Sequence, residues 1–99
     1  MANAVRDLRI QVDDLTREQR RADADVEQVK TRRTRDQGMI DSGQVKDPKA
    51  LERMLGELES LHRRINSLED TELEVMEQLE TAQASLDERT AEFETLESQ

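Results

Sequence analysis

From Leu51 to Leu96 the apolar residues keep an alternating spacing of three and four: Leu51, Met54, Leu58, Leu61, Ile65, Leu68, Val75, Leu79, Ala82, Leu86, Phe93 and Leu96. Glu72 and Arg89 fill the two gaps. This is a heptad with apolar a and d positions, the pattern of a helix that lies along another helix. A stripe so narrow cannot be buried by the helix that carries it. The chain must therefore pair helices.

The first part of the chain carries the same spacing at Val5, Leu8, Val12, Leu15, Gln19, Ala22, Val26, Val29, Arg33, Asp36 and Ile40, after a ragged start at Met1 to Ala4. This predicts a first helix of about 36 residues, roughly 54 Å long at 1.5 Å per residue. Gln19, Arg33 and Asp36 are polar seam positions, which specify register at some cost in stability. An Arg there can lay its stem along the groove and send its guanidinium to water. Between the two periodic stretches, Gly43 supplies the permissive backbone of a turn. Asp47 and Pro48 read as an N-cap followed by Pro at the first helical position. A connection this short returns the second helix antiparallel to the first. The expected fold is all-α: an antiparallel two-helix coiled-coil hairpin, a long helical rod of one domain. Its first helix spans 1–40, its tip loop 41–47 and its second helix 48–99.

Composition closes off the alternatives. Of 99 residues 33% are hydrophobic and one, Phe93, is aromatic, too little to fill a globular core of this size. Charged residues make up 39%, as in long helices. Cys is absent, which removes disulfides, thiol chemistry and cysteine zinc sites. No apolar run approaches the roughly 20 residues needed to span a bilayer, and no signal-peptide core follows Met1. The expected location is the cytoplasm.

Two antiparallel registers satisfy the pattern, one placing Val29 opposite Leu58 and the other placing Val29 opposite Ile65. The second is favoured, because it sets Ile40 against Met54 and Val26 against Leu68, whereas the first sets Asp36 against Leu51. In either, Val5 reaches only to Ala82 or Arg89. Phe93 and Leu96 are then expected to overhang, free for a second copy or for an N-terminal segment outside this sequence.

Charge is polarised along the chain. Residues 30 to 64 carry nine basic and six acidic side chains, a net +3. Residues 69 to 99 carry eleven acidic side chains and Arg89 alone, a net −10. Such a field can orient the approach of a charged partner.

The run Asp41-Ser42-Gly43, Asp47-Pro48-Lys49-Ala50-Leu51, Glu57-Leu58-Glu59-Ser60-Leu61, Arg63-Arg64 and Leu68-Glu69-Asp70 through Glu74-Val75-Met76-Glu77 resembles the central region of the bacterial C4-type zinc-ribbon proteins. In that family a long antiparallel coiled-coil hairpin precedes a small ribbon whose two Cys-x-x-Cys pairs bind zinc. The resemblance covers nearly all of the chain, which looks like the hairpin without the ribbon. It implies a role in transcription regulation or nucleic-acid binding, including contact with an alternative sigma factor. Zinc is implied only for the ribbon, since no Cys is present here to hold it.

Three candidate surfaces follow. The tip, with Asp41, Ser42, Gly43, Asp47, Pro48 and Lys49, is a candidate docking element for a protein partner; turn and capping chemistry accounts for the same residues. Lys30, Arg32, Arg33, Arg35, Arg53, Arg63 and Arg64 are candidate phosphate contacts. Against that, a solvated face with Glu and Asp three or four residues away gives the same pattern, and no aromatic residue is interleaved for base stacking. Leu73, Phe93 and Leu96 are candidate self-association residues, since Leu55, Leu73 and Met76 widen the stripe beyond the strict seam.

His62 stands beside the seam with no second His or Cys, an ordinary surface residue. Met39, Met54 and Met76 read as gap fillers. Gly56 falls on the outward face of the second helix, where it costs roughly 1 kcal/mol relative to Ala, and the pattern offers no reason for it. No Gly-rich phosphate loop, metal-ligand cluster or nucleophile-base pair is present, and a two-helix rod offers no pocket to shift a carboxylate pKa. The expected function is therefore a non-catalytic interaction module. Direct nucleic-acid binding by the basic half, or a structural spacer and dimerisation rod, are the alternatives.

Overall fold

The computed structural model describes residues 2–98, so Met1 and Gln99 lie outside the described residues. It consists of two α-helices, α1 (Ala2–Asp41) and α2 (Pro48–Ser98), joined by the short connection 42–47 into a helical hairpin. α1 begins at Ala2, inside the stretch expected to be ragged, and it ends one residue later than expected, since Asp41 closes the helix rather than opening the loop. The described chain divides into two compact units. A turn unit comprises residues 22–71, and a terminal unit comprises residues 1–21 and 72–99.

The turn is built by backbone chemistry that the sequence specifies locally. Gly43 adopts a left-handed conformation, φ 74°. That lets its N–H donate to the carbonyl of Ile40 at 3.1 Å while the Gln44 N–H donates to the carbonyl of Met39 at 3.2 Å. These paired bonds form a Schellman closure, which satisfies carbonyls that the helix end would otherwise leave unpartnered. The Ser42 hydroxyl adds a bond to the carbonyl of Met39 at 3.1 Å. At the other side Asp47 caps α2. Its carboxylate accepts from the Lys49 N–H at 3.3 Å and its carbonyl accepts from the Leu51 N–H at 2.9 Å. Pro48 takes the first helical position, where its missing N–H costs nothing.

Burial follows the heptad. In the turn unit Val26, Leu61 and Ile65 are buried, Ile65 most completely at 2% exposure. In the terminal unit Leu15, Val75 and Ala82 form a buried cluster against which Val12 and Leu79 pack, and Val5 is buried as well. Every expected seam residue of α1 is buried or half-buried, including Gln19, Arg33 and Asp36. On α2 the seam positions left exposed among those expected are Arg89 and Leu96. Arg89 turns outward to pair with Glu92, Nη1 to Oε2 3.7 Å, as a guanidinium does when the seam offers it no carboxylate. Leu55, Leu73 and Met76 stay exposed, off the seam.

Two contacts decide the register within each unit. Lys30 Nζ lies 3.9 Å from Glu69 Oε1 in the turn unit. With Val29 facing Leu58 these two residues would be separated by about 18 Å along the helix axis, beyond any lysine's reach. In the terminal unit Leu15 clusters with both Val75 and Ala82, as it must when it faces Leu79. The other register carries it about 15 Å from Ala82. Both contacts agree with Val29 facing Ile65.

Asp36 is the buried charged residue of the seam, 6% exposed, with Arg35 Nε 3.8 Å from its Oδ1. Unlike Arg33, it has no long stem with which to reach water. Apolar burial elsewhere holds it in place, since one fully buried aliphatic side chain contributes about 1.5–3 kcal/mol.

Replacing Gly43 with Ala is expected to destabilise the hairpin by about 1 kcal/mol or more through the left-handed backbone alone, since an added Cβ meets nothing within 4 Å. Asp47→Ala should cost about 1 kcal/mol through loss of the cap. Ile65→Ala should cost about 2–4 kcal/mol, while Leu55→Ala changes stability by less than about 0.5 kcal/mol. Urea unfolding followed by circular dichroism measures all four.

Candidate interaction site

The tip residues differ in what they offer. Ser42, Gly43, Asp47, Pro48 and Lys49 are exposed, as is Asp41 at the end of α1. The Asp41 carboxylate accepts from Gln37 Nε2 at 2.9 Å, and Asp47 is engaged in its cap. Gly43 and Pro48 serve the backbone. What the turn presents outward is therefore the side chains of Asp41, Gln44, Lys46 and Lys49 on a main chain held by capping bonds. Val45 is half-buried.

The seven basic candidates do not form one patch. Lys30 pairs with Glu69 across the helices, Arg63 pairs with Glu59 along α2 at 3.1 Å, and Arg35 lies beside Asp36. Arg33 is half-buried and lines a groove with Thr34, Gln37, Gly38 and Asp41. The remaining three come together. Arg32 of α1 and Arg53 and Arg64 of α2 line an open groove of about 480 Å³ with Gly56, Glu57, Ser60 and Leu61. Residues 53, 57, 60 and 64 follow a four-three-four spacing that puts them on one helix face.

Gly56 thereby gains a setting that periodicity alone did not supply. A Cβ built there meets nothing within 4 Å, so no packing demand excludes a side chain. The groove around it involves residues of both helices, and the signal that could have found it was the Arg53-Glu57-Ser60-Arg64 spacing combined with the register.

The self-association candidates also separate. Leu73 and Leu96 are 55% and 57% exposed. Phe93 is half-buried instead of overhanging, and it lines a groove of about 300 Å³ with Val5, Arg6, Arg9 and Thr90. With Val5 facing the Arg89 layer, Phe93 lies only about 6 Å further along α2, a distance that its ring spans.

Among the described residues no group of three or more His, Cys, Asp or Glu side chains is placed to hold a metal ion. The zinc that the resemblance implies finds no donor set here, since Cys is absent and His62 has no partner ligand. No helix of the described residues is long and apolar enough to cross a membrane.

Two long helices closed by a capped turn and paired along an apolar seam define a coiled-coil hairpin. The chain belongs to the CT398-like coiled coil hairpin domain family, whose model it matches over residues 1–99. It is 40% identical over 91 residues to two Mycobacterium tuberculosis proteins, "Uncharacterized protein Rv2229c" of strain ATCC 25618 / H37Rv and "Uncharacterized protein MT2288" of strain CDC 1551 / Oshkosh. Those alignments cover 92% of this chain and 36% of each relative, so the chain spans about a third of the length of the curated relatives it matches. No solved structure matches it significantly.

Gly56→Ala is expected to stabilise the protein by roughly 0.5–1 kcal/mol, the helix-propensity gain at an unobstructed exposed position. A midpoint shift to higher urea at unchanged slope reports it; a shift to lower urea would mean that the glycine serves the backbone.

Proposed function

We propose that this hairpin is a non-catalytic interaction module that presents its turn to a protein partner in the transcription apparatus. The observation that carries the reading is the turn itself. Its main chain is secured by the Gly43 closure and the Asp47 cap, while Asp41, Gln44, Lys46 and Lys49 stand exposed. A loop already held in one conformation gives up less entropy on binding. Membership in a hairpin family supports the module. The resemblance to zinc-ribbon proteins supports the transcription partner.

A nucleic-acid role draws less support. Three of the seven basic candidates already face carboxylates within 4 Å, and the chain has one aromatic residue, half-buried in the other unit.

The test keeps the caps intact. A variant carrying D41A, K46E and K49E retains Gly43, Asp47 and Pro48, and should keep native helicity. Binding to purified bacterial RNA polymerase, with and without an alternative sigma factor, is measured by biolayer interferometry. Loss of tenfold or more in affinity, about 1.4 kcal/mol, is expected. Equal binding by both proteins removes the turn as the docking site, and binding by neither removes this partner.

A further inference from the structure

The basic groove has a counterpart of opposite character. In the terminal unit a second groove, of about 490 Å³, is lined by the residues three heptads further along α2 and three heptads back along α1. Arg53 corresponds to Glu74, Gly56 to Glu77, Ser60 to Thr81, Arg64 to Ser85 and, on α1, Arg32 to Gln11. Glu57 corresponds to Gln78, so the same heptad positions carry three guanidiniums and one carboxylate in one unit and two carboxylates with no guanidinium in the other. The missing side chain at Gly56 falls at the position where its counterpart has the Glu77 side chain.

We propose a self-association contact: the Arg32–Arg53–Arg64 groove of one copy receives the Glu74–Glu77 face of a second copy. Two features of the chain argue for this occupant. Guanidinium groups match carboxylates in bidentate geometry, and Glu74 and Glu77 belong to a segment, 69 to 99, of net charge −10 that accompanies every copy of the groove. Leu73, 55% exposed and one turn before Glu77, adds apolar surface to that face. Each copy carries one groove of each kind, so a single kind of chain supplies both partners of the contact. This surface is separate from the turn, and it does not depend on the partner proposed above.

Net charge opposes association, because each copy is −9. At about 0.1 M salt the Debye length of about 10 Å screens that distant repulsion while leaving ion pairs at contact distance largely intact. Sedimentation velocity over a concentration series at about 0.1 M and about 0.5 M salt reads the outcome, with circular dichroism confirming helicity. The wild-type chain is expected to dimerise at the lower salt and to weaken at the higher. R32E/R53E/R64E should raise the dimer dissociation constant about tenfold or more, and E74R/E77R should do the same. Mixing the two variants restores opposite charge in both contacts and should recover a heterodimer. A wild-type chain monomeric at all concentrations, a triple variant that dimerises like wild type, or a mixture that stays monomeric while both variants remain helical overturns the proposal.

Discussion

An apolar stripe two positions wide in every seven cannot be buried by its own helix, and almost everything in this protein follows from that geometric shortage. Each helix needs the other along its length. The pairing holds because buried aliphatic residues recur in both units, at Val26, Leu61 and Ile65 in one and at Leu15, Val75 and Ala82 in the other. Each contributes a small amount, and their sum offsets the entropy of ordering two long helices. The ion pairs that decorate the surface add little, since exposed pairs such as Arg63 with Glu59 are worth a fraction of a kcal/mol. Their value lies in register: Lys30 meets Glu69 in one alignment of the helices and not in the other.

The turn converts pairing within one chain into a defined hairpin. Gly43 and Asp47 act on opposite helix ends by different means, one by releasing carbonyls into a left-handed closure and the other by offering a carboxylate to free N–H groups. Neither requires a contact from elsewhere in the fold. That local self-sufficiency leaves the exposed side chains of Gln44, Lys46 and Lys49 outside both the closure and the cap.

Much of this was legible in the sequence, for physical reasons that also mark where legibility stops. The seam could be read because burial on a helix has a period, and even Gln19 and Arg33 could be placed in it. The caps could be read because Gly at a left-handed position and Asp before Pro are local chemistry. Register could be narrowed to two alternatives but not decided, because apolar heptad layers are interchangeable and only a specific pair such as Lys30 with Glu69 tells them apart. The groove that Phe93 shares with Val5 was missed because a layer count ignores how far an aromatic ring reaches. Arg89 was placed in a seam that it leaves for Glu92. The groove around Gly56 could not be read from one helix alone, because Arg32 arrives from the other.

Asp36 carries a consequence for motion. A carboxylate at 6% exposure in the seam, beside half-buried Arg33, replaces two layers of aliphatic contact with groups that cohere less. Aliphatic contact is thinner at these positions, so local opening of the seam costs less there than at Val26 and Ile65. A surface that conforms to another molecule gains from such yielding ground beneath it, and here two polar residues of the seam, Arg33 and Asp36, supply it.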